Sequence, residues 1–197
     1  ILVPETVEVV NRKRPTVPPE KYHSYDTDEP DGVPPLADLG SEYLSHITSF
    51  MHYKNGFPAW TDLKVTEALV KRLSNKILWH QDELVAPEKI FLDDAEVVLV
   101  AYGSTARPAK AAAAMARKKG IRAGLLKLLT LWPFPAEQVR EISKQARKIF
   151  VPELNLGQML GEVERFACGN SQVIGINRVD GALLTPEGIL ARIEEGK

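Results

Sequence analysis

The chain has 197 residues, of which 44% are hydrophobic and 26% charged, a composition typical of an ordinary globular protein with room for one domain and a further segment. The 25 Lys and Arg side chains nearly balance 26 Asp and Glu side chains, and the net charge of −1 gives no electrostatic basis for binding nucleic acid or an anionic membrane. No apolar run approaches the roughly 20 residues that a membrane-spanning helix needs.

The first four residues, Ile1 to Pro4, are typical of the end of a buried strand that a proline stops. They lack the positive charge and long apolar core of a signal peptide. We therefore expect the sequence to be a piece of a longer polypeptide.

Prolines are concentrated between Pro15 and Pro35, a spacing that blocks helices and central strands. Residues 14–39 are predicted to form an extended arm over another surface, and disorder is the alternative. Four apolar or aromatic side chains favour the arm as candidate anchors on a partner: Tyr22, Tyr25, Leu36 and Leu39.

His46 and His52 lie six residues apart in the less regular segment 41–60. This spacing is not typical of a metal site, and no cysteine or acidic cluster supports one. Hydrogen bonding near a substrate pocket and plain packing or exposure both remain open for the two imidazoles.

Asp62 can cap a helix whose apolar residues recur every three or four positions and which ends between His80 and Leu84. Its other face is predicted to be charged and includes Arg72. Residues 1–61 are accordingly predicted to be an arm, and residues 62–92 a helical connector.

Strands and helices alternate from residue 93 to residue 197, which predicts an α/β domain with a parallel, Rossmann-like sheet covered on both faces. Four strands are predicted at residues 96–102, 123–128, 148–152 and 172–176. Helices are predicted at residues 107–119, 136–147 and 156–167, and Thr185-Pro186-Glu187 begins a last one.

Three loops follow the predicted strands at the edge where open α/β sheets meet ligands and partners. In the first loop, Ser104 or Thr105 can cap the next helix, and its free N–H groups could hold an anion. The second is a stiff apolar loop around Trp132, suited to local packing or to a protein contact. The third is expected to pair its polar groups, some of them across an interface. The candidate residues are Gly103, Ser104, Thr105, Trp132, Glu153, Asn155, Gly157 and Gln158.

The single cysteine, Cys168, can form neither an internal disulfide nor an iron–sulfur cluster, which needs about four ligands. We expect a reduced, partly buried thiol in a cytoplasmic protein, since no histidine is near it in sequence to make it a nucleophile.

Four segments in order resemble α subunits of 2-oxoacid:ferredoxin oxidoreductases: EVVLVAYGSTAR (96–107), GLLKLLTLWPFP (124–135), VPELNLGQ (151–158) and INRVDGALLTP (176–186). Residues 10–15 and 32–35 are similar to the connector of that family. Thr48, His52 and Gly56 resemble its Thr-Gly-x-x-His-x-x-x-Gly segment, which is most familiar in the 2-oxoglutarate branch, with Ser49 and Tyr53 as departures.

The resemblance implies a domain similar to the C-terminal domain of transketolase, within an enzyme that oxidatively decarboxylates a 2-oxoacid with coenzyme A and reduces ferredoxin. It implies thiamine diphosphate between a preceding pyrimidine-binding domain and a β subunit with the diphosphate-binding domain, and Mg²⁺ and a [4Fe-4S] cluster in the partner. His46, Thr48 and His52 would lie at a substrate pocket or an interface. We expect no catalytic residue and no metal ligand in this chain itself.

Other interpretations remain open at this point. The 2-oxoacid could be pyruvate or a branched-chain acid in place of 2-oxoglutarate. The chain could also be a non-catalytic Rossmann-like binding module, or a transketolase or 2-oxoacid dehydrogenase β-type subunit, although the last two types share the domain and not the Pro-rich connector.

Overall fold

The chain divides into two compact units, Ile1–His80 and Gln81–Lys197. The structure is a computed structural model that describes residues 5–196. The strand end predicted at residues 1–4 lies outside the described residues. No helix within the described part is long and apolar enough to cross a membrane.

The first unit is largely irregular and contains helix α1 (Leu63–Leu78) and a 3-10 turn at Pro19–Lys21. The predicted cap is confirmed, because the Asp62 carboxylate accepts hydrogen bonds from the backbone N–H groups of Lys64 and Val65. The helix ends at Leu78, slightly before the predicted end, and the short helix α2 (Gln81–Leu84) follows it.

The Pro-rich arm folds back within its own unit. Tyr22 is 6% exposed, and its hydroxyl accepts a hydrogen bond from the N–H of Ala37 at 3.2 Å. The N–H of Leu36 donates to the carbonyl of Lys13 at 3.0 Å. Tyr22 is therefore a local anchor, whereas Leu39 is 87% exposed and remains a candidate partner contact.

The second unit is a five-stranded sheet in the order β1-β3-β2-β4-β5. All neighbouring strands are parallel except β1, which is antiparallel to β3. The predicted α/β class and the four parallel strands are confirmed. The strands are β1 (Glu88–Ile90), β2 (Val97–Tyr102), β3 (Ala123–Leu128), β4 (Lys148–Glu153) and β5 (Gln172–Asn177).

Helices cover both faces of this sheet. Leu99 and Ala101 of β2 pack into one buried cluster with α3 and α6, while Val98 and Val100 pack into the other with α4 and α5. This alternation is the two-residue period of a strand that is buried on both sides. The four helices are α3 (Ala106–Lys118), α4 (Ala136–Gln145), α5 (Gln158–Ala167) and α6 (Pro186–Glu195).

Outside the loops at the strand ends, two sequence predictions about this unit are wrong. Strand β1 lies inside the segment predicted as a helical connector. The sequence does not indicate this strand, because three residues with two charges carry no recognisable strand pattern. Cys168 is exposed, not partly buried, because α5 ends at Ala167 and the chain leaves the core in a left-handed conformation with φ 53°.

Candidate functional site

The carboxyl ends of the parallel strands form one edge of the sheet in the second unit. Strand β3 lies on one side of β2 and β4 on the other, so the connections after β2 and β4 diverge at this edge. Such a switch point is where open α/β sheets bind ligands. A groove of about 630 Å³ lies there and is lined by Gly103, Ser104, Thr105, Arg107, Pro108, Ala111, Leu154, Leu183, Leu184 and Pro186.

The loop after β2 is a 3-10 turn at Gly103–Thr105. The predicted capping of α3 by Ser104 or Thr105 is wrong, because neither side chain accepts a hydrogen bond from the helix. The Thr105 hydroxyl instead donates back to the carbonyl of Tyr102 at 2.9 Å, since the tight turn brings that oxygen within reach. The loop thus contributes Gly103, Ser104 and Thr105 to the lining of the groove, and Arg107 follows in α3.

Glu153, at the end of β4, is a fully buried carboxylate. Its Oε1 accepts hydrogen bonds from the Tyr102 hydroxyl at 2.8 Å and the Met159 N–H at 3.0 Å, and its Oε2 accepts one from the Leu160 N–H at 3.0 Å. Two of these donors are free N–H groups of the first turn of α5, where a negative charge is favourable. Glu153 therefore ties β2 and the start of α5 to β4.

Asn155 completes the same network. Its Nδ2 donates to the Tyr102 hydroxyl at 2.9 Å and to Glu153 at 3.1 Å, while its Oδ1 accepts from the N–H groups of Gly157 and Gln158. Gly157 has φ 102°, a conformation that favours glycine, and α5 consequently begins at Gln158, two residues later than predicted. Burial and the bond to Glu153 raise the pKa of Tyr102.

The polar groups of Glu153 and Asn155 are thus paired inside the unit. The expectation that part of this loop meets polar partners across an interface stays a prediction for Gln158, which is exposed. Trp132 is 58% exposed, so a protein contact there stays a prediction, while Phe134 of the same loop stacks on Phe166 with ring centroids 5.2 Å apart.

In the first unit, Tyr25 brings Thr48 and His52 together. The Tyr25 hydroxyl accepts a hydrogen bond from the Thr48 N–H at 2.8 Å and donates to the Thr48 carbonyl at 3.1 Å. Its ring lies 3.9 Å from the imidazole of His52, centroid to centroid. The sequence suggested Tyr25 only as an anchor on a partner, because nothing local indicates a contact across 23 residues.

The two histidines differ in burial. His52 is 9% exposed, and its Nδ1 lies 2.9 Å from the carbonyl of Tyr53. His46 is exposed, and its backbone N–H donates to the Ser24 hydroxyl at 3.0 Å. The centroid of its ring lies 5.3 Å from that of Phe57. His52 is therefore fixed within the fold, and His46 presents its ring at the surface.

Replacing Tyr25 with phenylalanine is expected to destabilise the segment around Thr48 by about 1–3 kcal/mol, because the Thr48 N–H loses its acceptor. Hydrogen exchange at the Thr48 amide measures this directly and should become at least about tenfold faster. Tyr53→Phe is the control, since Tyr53 is an exposed aromatic nearby. Unchanged exchange at Thr48 in Tyr25→Phe would show that the hydroxyl does not hold the segment.

Among residues 5–196, no group of three or more His, Cys, Asp or Glu side chains is arranged to hold a metal ion. The single cysteine likewise does not fit a [4Fe-4S] cluster, which needs about four thiolates.

Comparison with known proteins gives consistent matches. Residues 95–189 match the family model "Pyruvate:ferredoxin oxidoreductase core domain II". The chain is 37% identical over 193 residues to 2-oxoglutarate synthase subunit KorA of Methanothermobacter thermautotrophicus, covering 98% of this chain and 51% of that protein. It is 37% identical over 123 residues to ketoisovalerate oxidoreductase subunit VorB of the same organism, covering 62% of this chain and 35% of VorB.

The fold is also found in a solved structure. A 2-oxoglutarate:ferredoxin oxidoreductase from Magnetococcus marinus, with 2-oxoglutarate, coenzyme A and succinyl-CoA bound, matches 95% of this chain and 32% of its own with a TM-score of 0.70. At 23% identity this likeness shows the fold alone. The chain spans about half the length of the KorA proteins that it matches.

These matches define the class of the second unit, which is a core domain II of the pyruvate:ferredoxin oxidoreductase type. Nearly all of the chain is similar to the 2-oxoglutarate synthase subunits KorA. The resemblance drawn from the sequence is confirmed.

Proposed function

We propose that this chain is part of a 2-oxoglutarate:ferredoxin oxidoreductase, in which it has a structural role and holds subunits together. The observation that carries the proposal is the 37% identity to KorA over 98% of the chain, which includes the irregular first unit as well as the α/β unit. The reaction would convert 2-oxoglutarate and coenzyme A to succinyl-CoA and CO₂ and pass the electrons to ferredoxin. The expected location is the cytoplasm.

The [4Fe-4S] cluster of such an enzyme would be held outside this chain, since the chain has one cysteine and a cluster needs about four thiolates. Thiamine diphosphate, when bound, supplies the carbanion chemistry, and a [4Fe-4S] cluster the one-electron steps. We propose that an N-terminal pyrimidine-binding domain and a β subunit with the diphosphate-binding domain hold thiamine diphosphate and Mg²⁺, and that the cluster lies in the partner.

The contribution of this chain would be made through surfaces that its fold already fixes. Thr48 and His52, joined by Tyr25, would border the substrate pocket or a subunit interface. The sheet edge with Trp132 and Gln158 would contact a neighbouring domain or subunit, because aromatic side chains are enriched in such contacts.

A second candidate is a branched-chain 2-oxoacid enzyme, which the match to VorB favours. The match to VorB covers 62% of this chain, whereas the match to KorA covers 98%. For this reason we propose 2-oxoglutarate as the substrate.

The proposal is tested by assaying the chain alone and in the assembled complex for 2-oxoacid-dependent, coenzyme A-dependent reduction of a viologen dye. We expect no turnover by the chain alone and turnover by the complex, fastest with 2-oxoglutarate. A panel with pyruvate and 2-oxoisovalerate serves as the control. Turnover by the isolated chain would contradict the assembly role, and a preference for 2-oxoisovalerate would favour the second candidate.

A further inference from the structure

A cavity of about 390 Å³ lies within the first unit, between α1 and the segments that carry Tyr25 and His52. Its lining combines apolar, aromatic and cationic side chains: Tyr25, Thr27, His52, Tyr53, Lys54, Val65, Ala68, Leu69 and Arg72. A cavity with apolar walls and a few polar groups is the usual form of a small-molecule site.

Arg72 is the unusual member of this lining. Its side chain is half-buried, and the guanidinium Nη1 donates to the carbonyl of Gly32 at 2.9 Å. Burial lowers the pKa of Arg72, the Tyr25 phenol partly opposes that shift, and none of the ion pairs described within residues 5–196 joins Arg72 to a carboxylate. A guanidinium has five N–H donors and stays charged, so a half-buried one without a carboxylate is an incomplete ion pair.

The acidic residues near the cavity are already paired with other cations. Asp26 and Asp28 lie 2.6 Å and 3.7 Å from the Nζ of Lys54, the second cation of the lining. Glu29 and Asp31 lie 3.5 Å and 2.8 Å from the Nζ of Lys13. Lys54 thus has one positive charge against two carboxylates, and Arg72 is the cation of the lining that has no carboxylate partner among the described ion pairs.

We propose that Arg72 binds the distal carboxylate of a small dicarboxylate of the 2-oxoglutarate class in this cavity, an inference that rests on the proposed function. The planar guanidinium pairs with a carboxylate through two parallel hydrogen bonds. Apolar side chains such as Val65 and Leu69 offer contact to the methylene groups between the two ends of the ligand. Arg72 is thereby assigned as a specificity-determining residue.

The cavity is also connected to the segment that the family resemblance places at a substrate pocket or an interface. Tyr25 lines the cavity and is hydrogen-bonded to both backbone groups of Thr48, and His52 lines it with its ring tilted against that of Tyr25. The volume of about 390 Å³ and the mainly apolar lining favour a small ligand over an acidic side chain of a partner as the occupant. Pyruvate, which ends in a methyl group, would leave Arg72 without its anion.

The direct test is titration of the full chain with 2-oxoglutarate, followed by NMR of the Arg72 side-chain N–H and the Tyr25 and His52 rings. We expect saturable binding that Arg72→Gln weakens about tenfold or more and that Arg72→Lys partly restores. Lys71→Gln on the same helix is the matched control, because Lys71 pairs with Glu67 and does not line the cavity. Absence of saturable binding, or equal binding by Arg72→Gln with its fold intact, overturns the proposal.

Kinetics of the assembled complex separate this proposal from the proposed function. Arg72→Gln should raise KM for 2-oxoglutarate about tenfold and leave KM for pyruvate unchanged wherever pyruvate is turned over. A wild-type complex without 2-oxoacid activity would reject the proposed function, while the titration would still decide the role of Arg72. If Arg72→Gln instead weakens subunit assembly and leaves binding unchanged, the anion is a partner side chain and the proposal is wrong.

Discussion

Replacing Glu153 with alanine is expected to lower the free energy of unfolding of the second unit by about 3–5 kcal/mol, the largest effect of any substitution considered for this chain. The side chain is fully buried, so its loss leaves a cavity. It also leaves the Tyr102 hydroxyl and two N–H groups of α5 without their acceptor. Chemical denaturation with hydrogen exchange read on β4 gives the size of the change.

Two further variants separate the causes of that loss. Glu153→Gln keeps the shape, and we expect it to cost about 1–3 kcal/mol because its amide nitrogen would face an N–H donor. Glu164→Ala, on the exposed side of α5, should change stability by less than about 0.5 kcal/mol. If Glu153→Ala is no more destabilising than Glu164→Ala, the buried network does not stabilise the unit.

Gly124→Ala is expected to destabilise the second unit by about 1–3 kcal/mol through overpacking. A Cβ at this position of β3 would lie 2.6 Å from the carbonyl oxygen of Phe91 and 2.7 Å from Leu92 Cδ2. The closer contact is with backbone, so the chain itself must shift to relieve it. The midpoint of denaturant unfolding should fall accordingly.

The matched control for this substitution is Gly161→Ala on α5. A Cβ there would meet nothing within 4 Å, and alanine has a higher helix propensity, so stability should rise by up to about 1 kcal/mol. Equal effects of the two substitutions would mean that the contact with Phe91 is not limiting.

The α/β architecture could be predicted because each parallel strand is a short apolar run between turn residues. Leu99 and Val100 face opposite clusters, and a strand of this kind is recognisable from sequence alone. Strand β1 was missed for the opposite reason. Glu88 and Lys89 are exposed at the sheet edge, and only pairing with β3 makes them a strand.

The sequence indicates where the candidate sites lie along the chain, but it does not indicate the hydrogen bonds that their side chains form. The sequence indicated that Glu153 lies at the end of a strand, as it does, whereas its bonds to N–H groups six and seven residues later depend on how α5 turns back over β4. Arg72 was assigned to a charged helix face, yet it is half-buried, because the arm near Gly32 folds across that face. Contacts between distant segments carry no local sequence signal.

The two edges of the sheet differ in their tendency to recruit another chain. Strand β1 has three residues, and its Glu88 pairs with Lys127 of β3, which makes that edge short and charged. Strand β5 has six residues and only β4 as its neighbour among the described strands, with Val173 and Ile174 partly exposed. Intermolecular strand addition, and the aggregation that follows from it, would therefore start at β5.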